Sequence, residues 1–396
     1  MIDWKPRLNT PLRIFLIYQV LLISGGCIER YYPEEEEVKV GNLVVAAHLT
    51  DLADLQTITL SRSTTLEFPA FDPVTGCHVE VEREDGAYET FPELEPGVYG
   101  TIPGSGFLSG GSAYRLQIVV PSGDRYESSF ETLHSGTAID SVYFVREDHA
   151  TQDPAVTEEG IRFHVDFEIE KDTSRYLRWQ LIETFEMQNP DYEDTQMYDV
   201  DRQMKEIPDS VARRICWVTL EVPEIFTMDL GGMQGNTYRG KPLNFVSNEP
   251  QRLHHRYSLL VRQYSLGENA FWYWDELGKN LQSKGGLFDT QPSITPSNIC
   301  NVEDEEEVVI GYFSISGVTE KRIMVQEVPG LTLMEDPGFC EPGQLPFSFR
   351  RLSSLLLPYY IGTMSVNGMM RTGGISRQCI DCRDYRGSSD LKPDYW

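Results

Sequence analysis

Ile161-Arg-Phe-His-Val-Asp-Phe-Glu-Ile169 alternates apolar and polar residues without a break. A strand turns successive side chains to opposite faces, so this pattern sets Ile161, Phe163, Val165, Phe167 and Ile169 on one face of a half-buried strand. Downstream, runs rich in β-branched and aromatic residues recur in Tyr176–Glu186, Cys216–Val222, Tyr257–Tyr264, Val308–Ser316 and Arg322–Val328. Upstream they recur in Val38–Leu49, Gln56–Ser61 and His78–Arg83, and again in Tyr114–Val120 and Tyr126–Thr132, which flank the turn cluster Pro121-Ser-Gly-Asp124. Short strands split by turn residues every 8–15 positions indicate a mainly β chain. The expected fold is an N-terminal immunoglobulin-like antiparallel β-sandwich over residues 38–137, followed by a larger β-rich domain over residues 138–396 with a Cys-rich C-terminal segment. The boundary falls in Leu133–Tyr143. A Cys-Trp-Cys pattern is absent, so the likeness to immunoglobulin domains is one of architecture alone.

One stretch keeps a helical period. Ser265-Leu-Gly-Glu268 has the spacing of a capping box, and Phe271, Trp274, Leu277 and Leu281 recur three to four residues apart. These predict a helix near 267–283, ended by Gly285-Gly286. It carries four consecutive aromatics, Phe271-Trp-Tyr-Trp274, which cover every side of a helix. Phe271 and Trp274 point to the core, while Trp272 and Tyr273 face outward as the candidate partner contact. Ordinary packing against the neighbouring domain and stacking on a ligand are the two other readings.

The N-terminus gives an address. Lys5, Arg7 and Arg13 precede an apolar run from Ile14 to Ile23, then small residues and Cys27. This is the order of a secretory signal peptide. Ten apolar residues rise only about 15 Å as a helix, too little to span a bilayer. Ser24-Gly25-Gly26-Cys27 resembles a bacterial lipoprotein box, with Ser24 in place of its usual Leu; a plain signal peptide is the alternative. Residues 1–26 are then a lipoprotein signal peptide, Cys27 is the lipidated first residue, and residues 27–37 form an acidic tether carrying Glu29 and Glu34–Glu37. Like charges extend such a linker. Acidic residues just behind the Cys also resemble a surface-export signal of Bacteroidetes lipoproteins.

The chain has 396 residues and a formal charge of −27; removal of residues 1–26 leaves 31 basic against 60 acidic residues, −29. A body this acidic does not bind nucleic acid by counterion release, and on composition it has no basic patch for anionic lipid. No apolar run after residue 27 approaches the roughly 20 residues of a spanning helix. With Cys27 lipidated, six cysteines remain: Cys77, Cys216, Cys300, Cys340, Cys379 and Cys382. An even number in an exported chain makes all six candidate disulfide partners, in any of fifteen connectivities; free thiols and a metal pair at Cys379-Ile-Asp-Cys382 are the other readings. The preferred arrangement staples the C-terminal pair to Cys216, Cys300 or Cys340 and leaves Cys77 as the odd partner.

Taken in order, these segments resemble one family. A lipobox Cys precedes a strand-rich first domain. Tyr257-Ser-Leu-Leu-Val-Arg-Gln-Tyr-Ser leads into a helix with Phe271-Trp-Tyr-Trp, followed by Gly285-Gly-Leu-Phe-Asp-Thr-Gln-Pro292 and Ser297-Asn298-Ile299. Val309-Ile-Gly-Tyr-Phe-Ser-Ile-Ser316, Cys379-Ile-Asp-Cys-Arg383 and Lys392-Pro-Asp-Tyr-Trp396 complete the set. The ensemble resembles the domain of unknown function 4249 family (DUF4249) of Bacteroidetes outer-membrane lipoproteins. The resemblance implies a surface component that travels with a TonB-dependent outer-membrane transporter; it carries over no catalytic residues.

A search for chemistry finds no Gly-x-Ser-x-Gly elbow and no His-Glu-x-x-His. His254-His255 is the one adjacent His pair; read as strand neighbours, they point apart and do not share a metal. Gly235-Asn-Thr-Tyr-Arg-Gly-Lys-Pro242 imitates a phosphate loop, but Pro242 stands where a Ser or Thr would bind magnesium, so it reads as a turn. The acidic runs Asp191–Asp201 and Glu303–Glu307 read as solvated loops, without calcium-loop spacing. No catalytic residue, metal or cofactor is expected. The expected function is a lipid-anchored, cell-surface outer-membrane protein, a non-enzymatic accessory or substrate-capturing partner of a TonB-dependent transporter. A surface hydrolase of glycans or peptides and a structural or adhesive subunit are the alternatives.

Overall fold

The computed structural model describes residues 41–65, 69–150, 157–169, 174–208, 210–233, 235–249, 251–282, 295–334 and 340–396. The expected signal peptide, Cys27, the tether and Gly285–Pro292 lie outside them. Residues Asn42–Trp396 form one compact unit. It is mainly β, with a single α-helix, Glu268–Gln282, among the described residues.

The N-terminal part is a sandwich. Leu43–Thr50 pairs antiparallel with Gln56–Arg62, and Val98–Thr101 and Glu93–Glu95 extend that layer. The facing sheet runs Arg125–Ser128, Ala113–Val119, His78–Arg83, Tyr88–Thr90. Alternating residues of both layers, such as Val45, Ile58 and Leu60 against Val79, Leu116 and Ile118, form one buried core. Residues 38–137 do not supply that core alone: Ile299, Val309, Phe313 and Ile315 are part of it.

In the larger part, Thr157–Glu168 lies between Ile139–Ala150 and Thr237–Ser247 in a three-stranded sheet. The alternation of 161–167 does what its period demands: Ile161, Phe163, Val165 and Phe167 are fully buried against Trp179, Leu181, Leu259 and Val261 of the neighbouring sheet. Each such side chain contributes about 1.5–3 kcal/mol through burial. Trp179 donates its indole N–H to Gln263 Oε1 at 2.8 Å, and Gln263 donates to the Thr137 carbonyl at 2.8 Å, so these two buried polar side chains are paired.

One strand joins the two parts. Val308–Ser316 and Arg322–Val328, expected as separate strands, are a single strand Ile310–Val325. Its first half pairs parallel with Leu43–Thr50, and its second half antiparallel with Tyr257–Leu266. The join lies at Gly317, over which residues 134–136 pass so closely that a Cβ would stand 2.3 Å from the His134 carbonyl oxygen. The two strands do not separate at 317–321, because both halves have sheet partners in register.

Other expectations need correction. Ser265 does not cap the helix; it ends a strand, and its hydroxyl accepts from the Thr137 N–H at 3.0 Å. Helical bonding starts with Phe271 N–H to the Gly267 carbonyl. Leu281 is exposed, whereas Phe271 and Trp274 are buried and Leu277 is half-buried. The Asp191–Asp201 run contains the strand Asp194–Tyr198, paired with Tyr359–Val366. The 235–242 stretch enters the strand Thr237–Ser247, whose irregular register near Pro242 accommodates a residue that cannot donate to the ladder. His254 and His255 lie in a turn rather than a strand.

Candidate functional site

The helix lies over the junction. Its inner face packs Ala270, Phe271 and Trp274 against Tyr176, Tyr264, Leu266 and Val318, the third apolar core. Gly278 seats it closely, its Cβ position being 3.3 Å from Ile225. Along the outer edge of the helix runs a groove of about 310 Å³. Asn269, Trp272, Tyr273 and Glu276 form one wall, and Pro296–Asn298 with Tyr312 form the other. The volume is at the lower end for a small-molecule pocket.

The groove floor is built from paired groups. Tyr273 and Tyr312 stack with ring centres 4.8 Å apart. Tyr312 donates its hydroxyl to Glu131 Oε1 at 2.6 Å, and Asn298 Nδ2 donates to the same oxygen at 3.3 Å. Glu131 is buried, which pushes its carboxyl above the usual range against the pull of those two donors. Burial first, then the Glu131 carboxylate, raises the Tyr312 hydroxyl. The Asn298 amide is pinned to the 310–325 strand, donating to the Phe313 carbonyl and accepting from the Phe313 N–H, both at 2.9 Å. Ser297 Oγ accepts from the Ile299 N–H.

Behind this floor is a buried polar cluster that the sequence reading did not find. His48 packs against Trp274 in a tilted arrangement with ring centres 4.6 Å apart, and its Nδ1 lies 3.0 Å from Ser314 Oγ. Full burial and the nearby Arg178 lower its pKa to about 3, so the ring is neutral. The Arg178 guanidinium lies 3.6 Å from the Trp274 ring centre and 5.0 Å from that of Tyr264. Burial lowers Arg178 to about 10, which keeps it charged at neutral pH. No carboxylate of the described residues lies within ion-pair distance of it, and its Nε is without a hydrogen-bond partner.

Of the two candidate contact residues, Trp272 is half exposed on the groove rim, and Tyr273 is half-buried in its wall. The groove therefore offers aromatic faces with an amide and a carboxylate at the rim. Its inner hydroxyl and amide are committed to Glu131 and to backbone, and among the described residues no imidazole or thiol lines it. Such a surface is suited to stacking a ring or holding a side chain.

The cysteines separate into two sets. Cys216 bonds Cys382 and Cys340 bonds Cys379, so the C-terminal pair is stapled to two of the three expected partners. Cys77 and Cys300 are free, a correction to their listing among candidate disulfide partners. Cys77 is turned toward the Val74 carbonyl beside Tyr99, and Cys300 is exposed on an edge strand next to Glu127, so neither faces another thiol. Lys241 of the phosphate-loop imitation donates to the Thr227 carbonyl. A smaller groove of about 90 Å³ touches His254 and His255, with His254 bonded to the Met334 carbonyl at 2.7 Å. Among the described residues, no three His, Cys, Asp or Glu side chains are grouped closely enough to hold a metal.

Residues 28–322 match the family described as Domain of unknown function (DUF4249), and the chain belongs to it. The match begins just after Cys27 and ends within the joining strand, so the stapled C-terminal segment lies beyond it. No curated protein matches the chain.

Proposed function

We propose that this chain is an outer-membrane lipoprotein, anchored through Cys27 and exposed at the cell surface. It acts without chemistry of its own, as an accessory or substrate-capturing partner of a TonB-dependent transporter. The observation that carries this reading is the groove along the helix: a half-exposed Trp272 over a floor whose polar groups are already bonded. An indole held on a rigid seat supplies contact area at small entropic cost, as interface anchors do. The lipobox-like Cys27 and the acidic residues behind it support the address.

The test is a mild-detergent pull-down of the tagged chain from its own outer membrane, with partners identified by mass spectrometry. The wild type brings down a TonB-dependent barrel in stoichiometric amount. Trp272→Ala reaches the membrane normally but loses the barrel, and Cys27→Ala loses the membrane. Recovery of the monomer alone from correctly localised wild type sinks the proposal.

A further inference from the structure

Residues 342–380 contain four arginines and no Asp or Glu, the longest acid-free stretch in a chain of net charge −27. Within it, Phe347 and Leu355 are almost wholly solvent-exposed, and Leu356 is 58% exposed. They do not stand on a frayed tail. Phe349 is anchored between Tyr198 and Tyr359, with ring centres 5.3 and 6.0 Å away. Leu355 and Leu356 sit on a 3-10 turn, Ser354–Leu356, capped by the Ser353 hydroxyl. The exposed Val200 lies in the hairpin loop beside this segment, because Arg202 donates to the carbonyls of Arg350 and Leu352. Arg202, Arg350 and Arg351 are all exposed around these apolar residues. In the hairpin loop Asp199 and Asp201 are both paired with Lys205, while Asp194 and Glu206 stand on the two hairpin strands.

We infer that this face is a contact surface for an anionic lipid bilayer. The apolar side chains project into solvent from a bend at Phe347 and from the 3-10 turn Ser354–Leu356. A bilayer interface accepts such projections without a matching shape, while arginines reach the phosphates around them. Charge complementarity selects the sign of the surface: a body of −29 is repelled by anionic lipid, and the acid-free arginine-bearing face is where that repulsion is relieved. The basic patch that bulk composition hid is thus a local one. This contact is independent of Cys27 and of the transporter.

The test uses residues 28–396, which keep the whole compact unit Asn42–Trp396 and leave out the apolar run and Cys27. The protein is sedimented with vesicles of 30% phosphatidylglycerol in phosphatidylethanolamine, and with pure phosphatidylcholine vesicles. Binding is expected to the anionic vesicles alone and to weaken at high salt. Arg350→Gln with Arg351→Gln should weaken it about 25-fold, from roughly fivefold per arginine. Phe347→Ser with Leu355→Ser should weaken it at least tenfold with an unchanged circular dichroism spectrum, as both positions are exposed. Three results overturn the inference: no binding to anionic vesicles, binding untouched by both pairs, or self-association lost in Phe347→Ser/Leu355→Ser without vesicle binding, which would assign the face to a second copy. The assay contains neither transporter nor anchor, so its failure leaves the proposed function standing, and the reverse also holds.

Discussion

His48 makes the stability of the junction depend on pH, in a direction and size that follow from its surroundings. Its imidazole is neutral, with a folded pKa near 3 against 6.5 for the unfolded chain, because burial and the adjacent Arg178 oppose its charging. A depressed His pKa contributes stability that is complete above the unfolded value. That stability is lost as pH falls below 6.5 toward the folded value. At pH 5 the unfolded chain has gained 1.5 pH units of protonation free energy that the folded chain has not, about 2 kcal/mol at 1.36 kcal/mol per unit. This figure is insensitive to how far below 4 the folded pKa lies, since the folded ring is neutral at pH 5 in either case. His48→Phe with Ser314→Ala keeps a ring packed against Trp274 and removes both the titrating group and its hydroxyl partner. Burial lowers His134 and His255 as well, but both are retained in the variant and cancel in the comparison. Urea unfolding followed by tryptophan fluorescence at pH 8 and pH 5 should therefore show the wild type losing about 2 kcal/mol more than the variant. Equal losses in the two proteins, or a larger loss in the variant, would refute the reasoning.

Four further outcomes are expected. Tyr312→Phe deletes the 2.6 Å donor to buried Glu131 and should cost about 1–3 kcal/mol in urea unfolding at pH 8. Arg178→Met replaces a buried guanidinium that has no carboxylate partner among the described residues; it should leave stability unchanged or raise it by about 1–4 kcal/mol, seen as a higher melting temperature. Maleimide mass labelling of residues 28–396 without reductant should find two thiols in denaturant, those of Cys77 and Cys300. In the folded protein Cys300 should react first, because Cys77 is half-buried and burial pushes its thiol pKa up. Replacing the Cys216–Cys382 bridge, with its 166-residue separation, should cost about 5 kcal/mol on chain entropy, against about 4 for Cys340–Cys379 at 39.

The sites were legible only where a single element carries the signal. Trp272 and Tyr273 stood out because four aromatics on one helix cannot all face inward, and the groove indeed runs along that edge. Its opposite wall, Pro296–Asn298 and Tyr312, comes from segments with no local mark, and the bond from Tyr312 to Glu131 spans 181 positions. His48 and Arg178 look like ordinary strand residues in sequence, yet both lie beneath Trp274. The acid-free stretch 342–380 was readable as charge pattern, but bulk composition averaged it away.

By itself the sequence determined period and class. Alternation at 161–169, 78–83 and 56–61 decides which faces are apolar, because a strand side chain has two directions and water selects one. The three- to four-residue spacing of Phe271 and Trp274 decides the helix and its inner side by the same logic. The tertiary structure decided everything that depends on a partner. Val308–Ser316 and Arg322–Val328 become one strand because different neighbours pair its two halves, and no local propensity at Gly317 outweighs that ladder. Ser265 serves Thr137 rather than the helix, and four of six cysteines find partners 39 and 166 residues away. A strand or helix is written in nearest-neighbour periodicity, whereas a pairing is fixed by the free energy of the whole packed chain.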